Sequence, residues 1–451
     1  MFPSLHSLRG EFKPMFRLAL PVVLAEMGWM VMGIVDTLMV GRLSPEAIGA
    51  VGVGSSLFIG VVIFAMGLSL GLDTLVSQAF GARRIDDCHR WLLHGVALSA
   101  MLSPPMMLLI WGISAALGGW GLDARVLAMT RPFLDALTWS VPPLLLYSAF
   151  RRYLQGMGVV RPVMIALVAA NLVNVLFNWI LIFGRFGFPA LGVRGAAWST
   201  VLARVAMAAF LFGVIVYREM GKRPGLFETP LRIDRFWMRR LLALGFPAAM
   251  QVTLEVGVFA AATALAGRLA PSALAAHQIA LNIAAFTFMV PLGVSSAGAV
   301  RVGHAVGRRD REGAARSGWT ALLFGAGFMS CAALAFLLIP RTLIGAFTSD
   351  AGVLDEGVAL LSVAAVFQLF DGIQGVATGV LRGLGDTRTP MFWNLAGHWA
   401  IGLPLGYTLC FIVGLGVVGL WWGLSTGLII CGVALLAVWA SRIRSPRAIF
   451  R

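Results

Sequence analysis

Six acidic residues stand inside long apolar stretches of this sequence: Glu26, Asp36, Asp73, Asp135, Glu255 and Asp371. Glu255 is the starkest, because the run AMQVTLEVGVFAA around it holds no other charge. A carboxylate at the centre of a membrane-length helix costs several kcal/mol unless it is paired, hydrated or protonated. Two chemistries suit such a group. With a second carboxylate from another helix, here Asp371 in the tenth apolar run, it supplies oxygens and charge to a hard cation. Alone, it takes up and releases a proton. No lysine lies in a neighbouring run, so a purely structural ion pair has no obvious partner. Asn171, Asn174 and Asn178 recur at i, i+3 and i+7 and so share one helix face. That stripe reads either as glue between helices or, with Asp36, as a hydrogen-bonded proton site. Gln278 and Asn282 stand one turn apart with Phe286 on the same face, and the spacing predicts that they line a cleft. Asp73 and Asp135 fall near helix ends, within reach of water; Glu26 has no evident role.

The elements that must position these groups follow from composition. Of 451 residues, 59% are hydrophobic and 12% charged, with a mean hydropathy of +0.87. Soluble chains carry about twice that charged fraction. Twelve apolar runs of membrane-spanning length recur, so the chain reads as an all-α integral membrane protein. Its net charge of +15 is unevenly placed: alternate connections, with the two ends, hold 27 of the 35 Lys and Arg. That bias predicts both termini in the cytoplasm, and it argues against nucleic acid as a partner. The four cysteines show no metal or redox spacing. Six scattered histidines give no catalytic cluster, which argues against a membrane enzyme.

The runs fall into two sets. PVVLAEMGWMVMGIVDTLMVGRLSPEAIGA from Pro21 aligns without a gap on PAAMQVTLEVGVFAAATALAGRLAPSALAA, 226 residues on. The same offset pairs Gly67 with Gly293, Ser69 with Ser295, and Gly81 with Gly307. Further on, QGMGVVRPVM from Gln155 matches RGLGDTRTPM from Arg382, and LGVRGAAW from Leu191 matches LGVVGLWW from Leu415. Two pseudo-symmetric six-helix bundles are expected: an N-lobe over 1–220, a cytoplasmic linker over 221–235, and a C-lobe with its tail over 236–451. Six is even, so both repeats enter from one side, as in parallel-repeat transporters. The acids do not follow the repeat, because Glu255 aligns with Trp29 and Asp36 with Ala262.

The segments DTLMVGRL, RVGHAVG and RGLGDTRTP resemble the multidrug and toxic compound extrusion (MATE) family, over about Pro14 to Trp439. Glu255, AHQIALN and Asp371 make the chain most similar to the NorM-type branch. The resemblance implies a monomeric secondary antiporter without a cofactor. It would expel small organic, often cationic drugs as Na⁺ or H⁺ enters, by alternating access of the lobes. It implies ion coupling at Glu255 and Asp371, tentatively with Na⁺ as their metal, and a polar cluster of Asp36, Asn174, Asn178 and Thr200. Phe367 and Gln374 join the cavity lining, and Pro21 is a hinge or a packing proline. Two departures stand out. Phe367 occupies the place of a tyrosine in Na⁺-coupled members, and Asn178 that of a second aspartate in many relatives. The alternative within the superfamily is a flippase of lipid-linked precursors, which calls for several basic residues in the cleft. Arg204 is the one basic residue read within a run.

Overall fold

The computed structural model describes residues 5–121, 123–220, 225–229 and 232–444. Parts of the expected linker (221–224 and 230–231) and the tail beyond 444 lie outside the described residues. Every long element is helical, as a bilayer demands of a backbone with no water to bond. Eleven helices among the described residues are long and apolar enough to span a membrane. The twelfth crossing is the broken pair α5 (Ala124–Thr138) and α6 (Val141–Gly156), each too short by itself. The break falls at Trp139 and Ser140, whose N–H groups bond back three residues to Ala136 and Leu137. Pro142 and Pro143 follow at the start of α6, where a missing N–H costs nothing.

The helices preceding that pair are α1 (Leu5–Val40), α2 (Pro45–Leu68), α3 (Gly71–Gly81) and α4 (Ile85–Ala116). After it come α7 (Arg161–Phe183), α8 (Val193–Glu219), α9 (Arg235–Ala266) and α10 (Pro271–Gly307). The chain ends through α11 (Arg311–Leu338), α12 (Pro340–Gly345), α13 (Ala351–Leu384), α14 (Arg388–Asn394), α15 (Leu403–Tyr407) and α16 (Gly416–Arg444). Starts are capped from the sequence. Ser44 accepts the Ala47 N–H ahead of Pro45, and Asp123, Asp310 and Asp350 cap α5, α11 and α13 likewise. Between α14 and α16 the helix loosens into π turns at Leu395–Gly402 and Thr408–Ile412. There it meets α16 glycine to glycine: a Cβ on Gly423 would fall into the Gly406 backbone. Small residues at such a crossing let two backbones approach.

The chain forms two compact units, 27–249 and 1–26 with 250–451. The division falls inside α1 and α9, the first helices of the two repeats. In unit 27–249, α7 packs on α8, α2 on α5 and α4 on α6. In the other, α10 packs on α13 and α11, and α13 on α16. Its apolar core gathers Val258, Phe336, Leu360, Phe367 and Trp421.

Candidate functional site

In unit 27–249 the fold brings Asp36 on α1 against α7 and α8. Asn178 donates its amide N–H to Asp36 Oδ1 at 2.6 Å, and the Thr200 hydroxyl donates to Oδ2 at 3.0 Å. Asn178 also reaches Asn174 Oδ1 at 3.1 Å. Asn174, Asn178 and Thr200 are buried, and Asp36 is half-buried. The four residues expected together are together. The asparagine stripe, however, divides in two. Asn171 turns to α1 and donates to the carbonyls of Gly28 and Leu167, and so joins helices and leaves the carboxylate alone.

One turn beyond Thr200 stands Arg204, buried, hydrogen-bonded to the Ser140 hydroxyl. Its guanidinium lies over Phe58 at 4.7 Å and Trp29 at 5.7 Å, and is in electrostatic range of Asp36. A buried cation between two ring faces is stabilised by their quadrupoles. Sequence reasoning named Arg204 but not this role; Trp29 and Phe58 carry no signal for it.

In the other unit, α9 and α13 place Glu255 and the buried Asp371 within electrostatic range of each other. Gln251, one turn before Glu255, donates to its Oε2 at 2.6 Å. Gln374, fully buried, lies beside the same carboxylate. Neither carboxylate has an ion pair among the described residues. No group of three or more His, Cys, Asp or Glu that could hold a metal occurs there either. A cation at Glu255 and Asp371 would therefore draw its remaining oxygens from amides or carbonyls.

Phe367 lies in the apolar core, 6.0 Å from the Trp421 ring. Gln278, Asn282 and Phe286 form one exposed face of α10. Asp73 is a structural acid, bonded to Arg152 at 3.2 Å. Pro21 sits within α1, five residues before the unit boundary. A residue that sequence reasoning passed over is His277 of AHQIALN. The Trp421 indole N–H donates to its Nδ1 at 2.9 Å, and Nε2 lies 2.9 Å from the Thr263 hydroxyl. An indole only donates, so Nδ1 must accept, and the ring proton sits on Nε2.

The MatE family profile matches residues 21–180 and 247–408, two stretches that begin at Pro21 and Pro247. The chain belongs to the MATE family. The MATE relatives include a probable multidrug resistance protein NorM of Mesorhizobium japonicum, 37% identical over 97% of this chain and 95% of its own. One of the same name from Pseudomonas putida is 36% identical over 94% of this chain and 93% of its own. Among solved structures, the eukaryotic MATE transporter AtDTX14 superposes with a TM-score of 0.87 at 21% identity, over 99% of this chain and 100% of its own. An outward-facing multidrug resistance MATE transporter gives 0.86 at 19%, over 99% of each. The MATE fold, with twelve crossings in two lobes, is thus shared, and the chain is a transporter and not an enzyme.

Proposed function

We propose that this MATE transporter expels small organic, mostly cationic compounds in exchange for Na⁺ or H⁺, by alternating access, from the inner membrane with both termini cytoplasmic. The observation that carries the reading is the pair Glu255 and Asp371: two carboxylates from two helices, without a basic partner among the described residues. Such a pair is tolerated in a membrane only when a bound cation or proton offsets its charge. The multidrug names of relatives over nearly the whole chain supply the class of substrate. Asp36 is a second titratable group, held by Asn178 and Thr200. Coupling requires that cation and drug each weaken the other's binding by the same factor.

The test is ethidium efflux from proteoliposomes under separately imposed Na⁺ and H⁺ gradients, with Glu255→Gln, Asp371→Asn and Asp36→Asn. Loss of efflux in the first two alone assigns coupling to the Glu255 pair. Loss in Asp36→Asn alone moves it to the other unit. If no gradient drives efflux, antiport is wrong.

A further inference from the structure

A cavity of about 680 Å³ opens in unit 27–249, walled by the end of α4, by α5 and by the start of α8. Its size is that of a small-molecule site, and none of the residues around Asp36 lines it. Three of its walls are tryptophans, Trp111, Trp139 and Trp198, with the first two set edge to face at 5.8 Å. Two guanidiniums and one carboxylate face the same space, and they are not paired with one another.

Arg131 is anchored by its Nε–H to the Ser114 carbonyl at 3.1 Å and by a terminal nitrogen to the Ala115 carbonyl at 2.6 Å. Those bonds hold the plane at the end of α4 and leave its other N–H groups to a ligand. Asp135, one turn on, accepts the Ser114 hydroxyl at Oδ1 (2.8 Å) and has no cationic partner among the described residues. Arg194 makes no ion pair or hydrogen bond among them, and Trp198 stands one turn further along α8. Charges of both signs that line one cavity without pairing with each other complement a molecule that carries both signs itself. Guanidinium forks match phosphate oxygens, and tryptophan faces with a carboxylate suit an ammonium. Its walls belong to helices of the third, fourth and sixth crossings, so lipid is the neighbour at hand.

We propose that this cavity binds a phospholipid headgroup bearing both a phosphate and a primary ammonium, that of a phosphatidylethanolamine. The phosphate sits between Arg131 and Arg194, and the ammonium meets Asp135 and the tryptophan faces. The acyl chains stay in the bilayer, which distinguishes the lipid from free phosphoethanolamine as occupant.

The test is native mass spectrometry of the purified full chain, titrated with phosphatidylethanolamine or phosphatidylglycerol. The wild type is expected to hold the former about tenfold more tightly, one charge-assisted hydrogen bond's worth. Asp135→Asn should erase that preference, and Arg194→Gln should weaken both lipids. Both side chains are exposed, and size-exclusion profiles and unfolding temperatures check each variant's folding. Should Asp135→Asn fail to fold, Arg194→Gln decides by itself. Equal binding of the two lipids by the wild type, an Asp135→Asn ratio unchanged, or no effect of Arg194→Gln overturns the proposal. So does displacement of the lipid by ethidium, which would make this a drug site, or by free phosphoethanolamine at equal concentration.

Discussion

Gly293 lies so close to Val23 that a Cβ on it would stand 2.7 Å from the Val23 Cα, and Gly67 meets Ala249 in the same way, at 2.5 Å. The four residues are repeat equivalents, Val23 with Ala249 and Gly67 with Gly293. One contact has been kept twice, each time between the second helix of one repeat and the first helix of the other, and each within a single compact unit. A side chain at either glycine forces two helices apart. Gly293→Val and Gly67→Val should each cost about 1–3 kcal/mol, read as a lowered unfolding temperature in detergent. Gly213→Ala, with open space around it, should lose nothing; equal losses in all three would remove packing as the cause.

Thr200→Val keeps the shape of the side chain but takes away the hydroxyl that bonds Asp36 Oδ2. A hydrogen bond to a charged group is worth about 1.5–3 kcal/mol, so efflux should slow by roughly tenfold or more under the gradient that drives the wild type. Thr200→Ser should restore most of the rate. A Val variant as fast as wild type would leave Asp36 without need of this donor.

Gln374 contributes no charge beside Glu255, yet offers a carbonyl oxygen and an amide there. Replacing it by Ala is expected to raise the half-saturating concentration of the coupling cation by about tenfold, the worth of one well-placed polar partner. The maximal efflux rate should hold. A fall in maximal rate at unchanged half-saturation would instead assign Gln374 to the drug or to the conformational step.

Trp421→Phe keeps an aromatic ring, though a smaller one, and deprives His277 Nδ1 of its donor. A buried acceptor left alone costs about 1–3 kcal/mol, and the unfolding temperature should drop by several degrees. His277→Asn should cost less in that background than in the wild type, since only its bond to Thr263 is left to lose.

Hydropathy by itself determined much of this protein. Apolar length fixes a helix because a bilayer leaves the backbone no other partner, so the crossings and the two repeats are legible in the residues. Even so, the fourth crossing escapes a length criterion, because the turn at Trp139 and Ser140 cuts it into α5 and α6. Isolated acids in apolar surroundings were equally legible, since their cost marks them wherever the helices pack. What the sequence could not decide is which polar groups meet. Asn171 and Asn174 share a helix face, yet one bonds the Gly28 carbonyl while the other joins Asp36 through Asn178. Thr200 lies 164 residues from the aspartate it holds, and Trp421 lies 144 from His277. Arg131 and Asp135 share a turn of α5, but nothing in the sequence brings Arg194 of α8 to the same cavity. Periodicity speaks of one helix against its surroundings; partners on different helices are chosen by packing over long separations, and only the tertiary structure settles them.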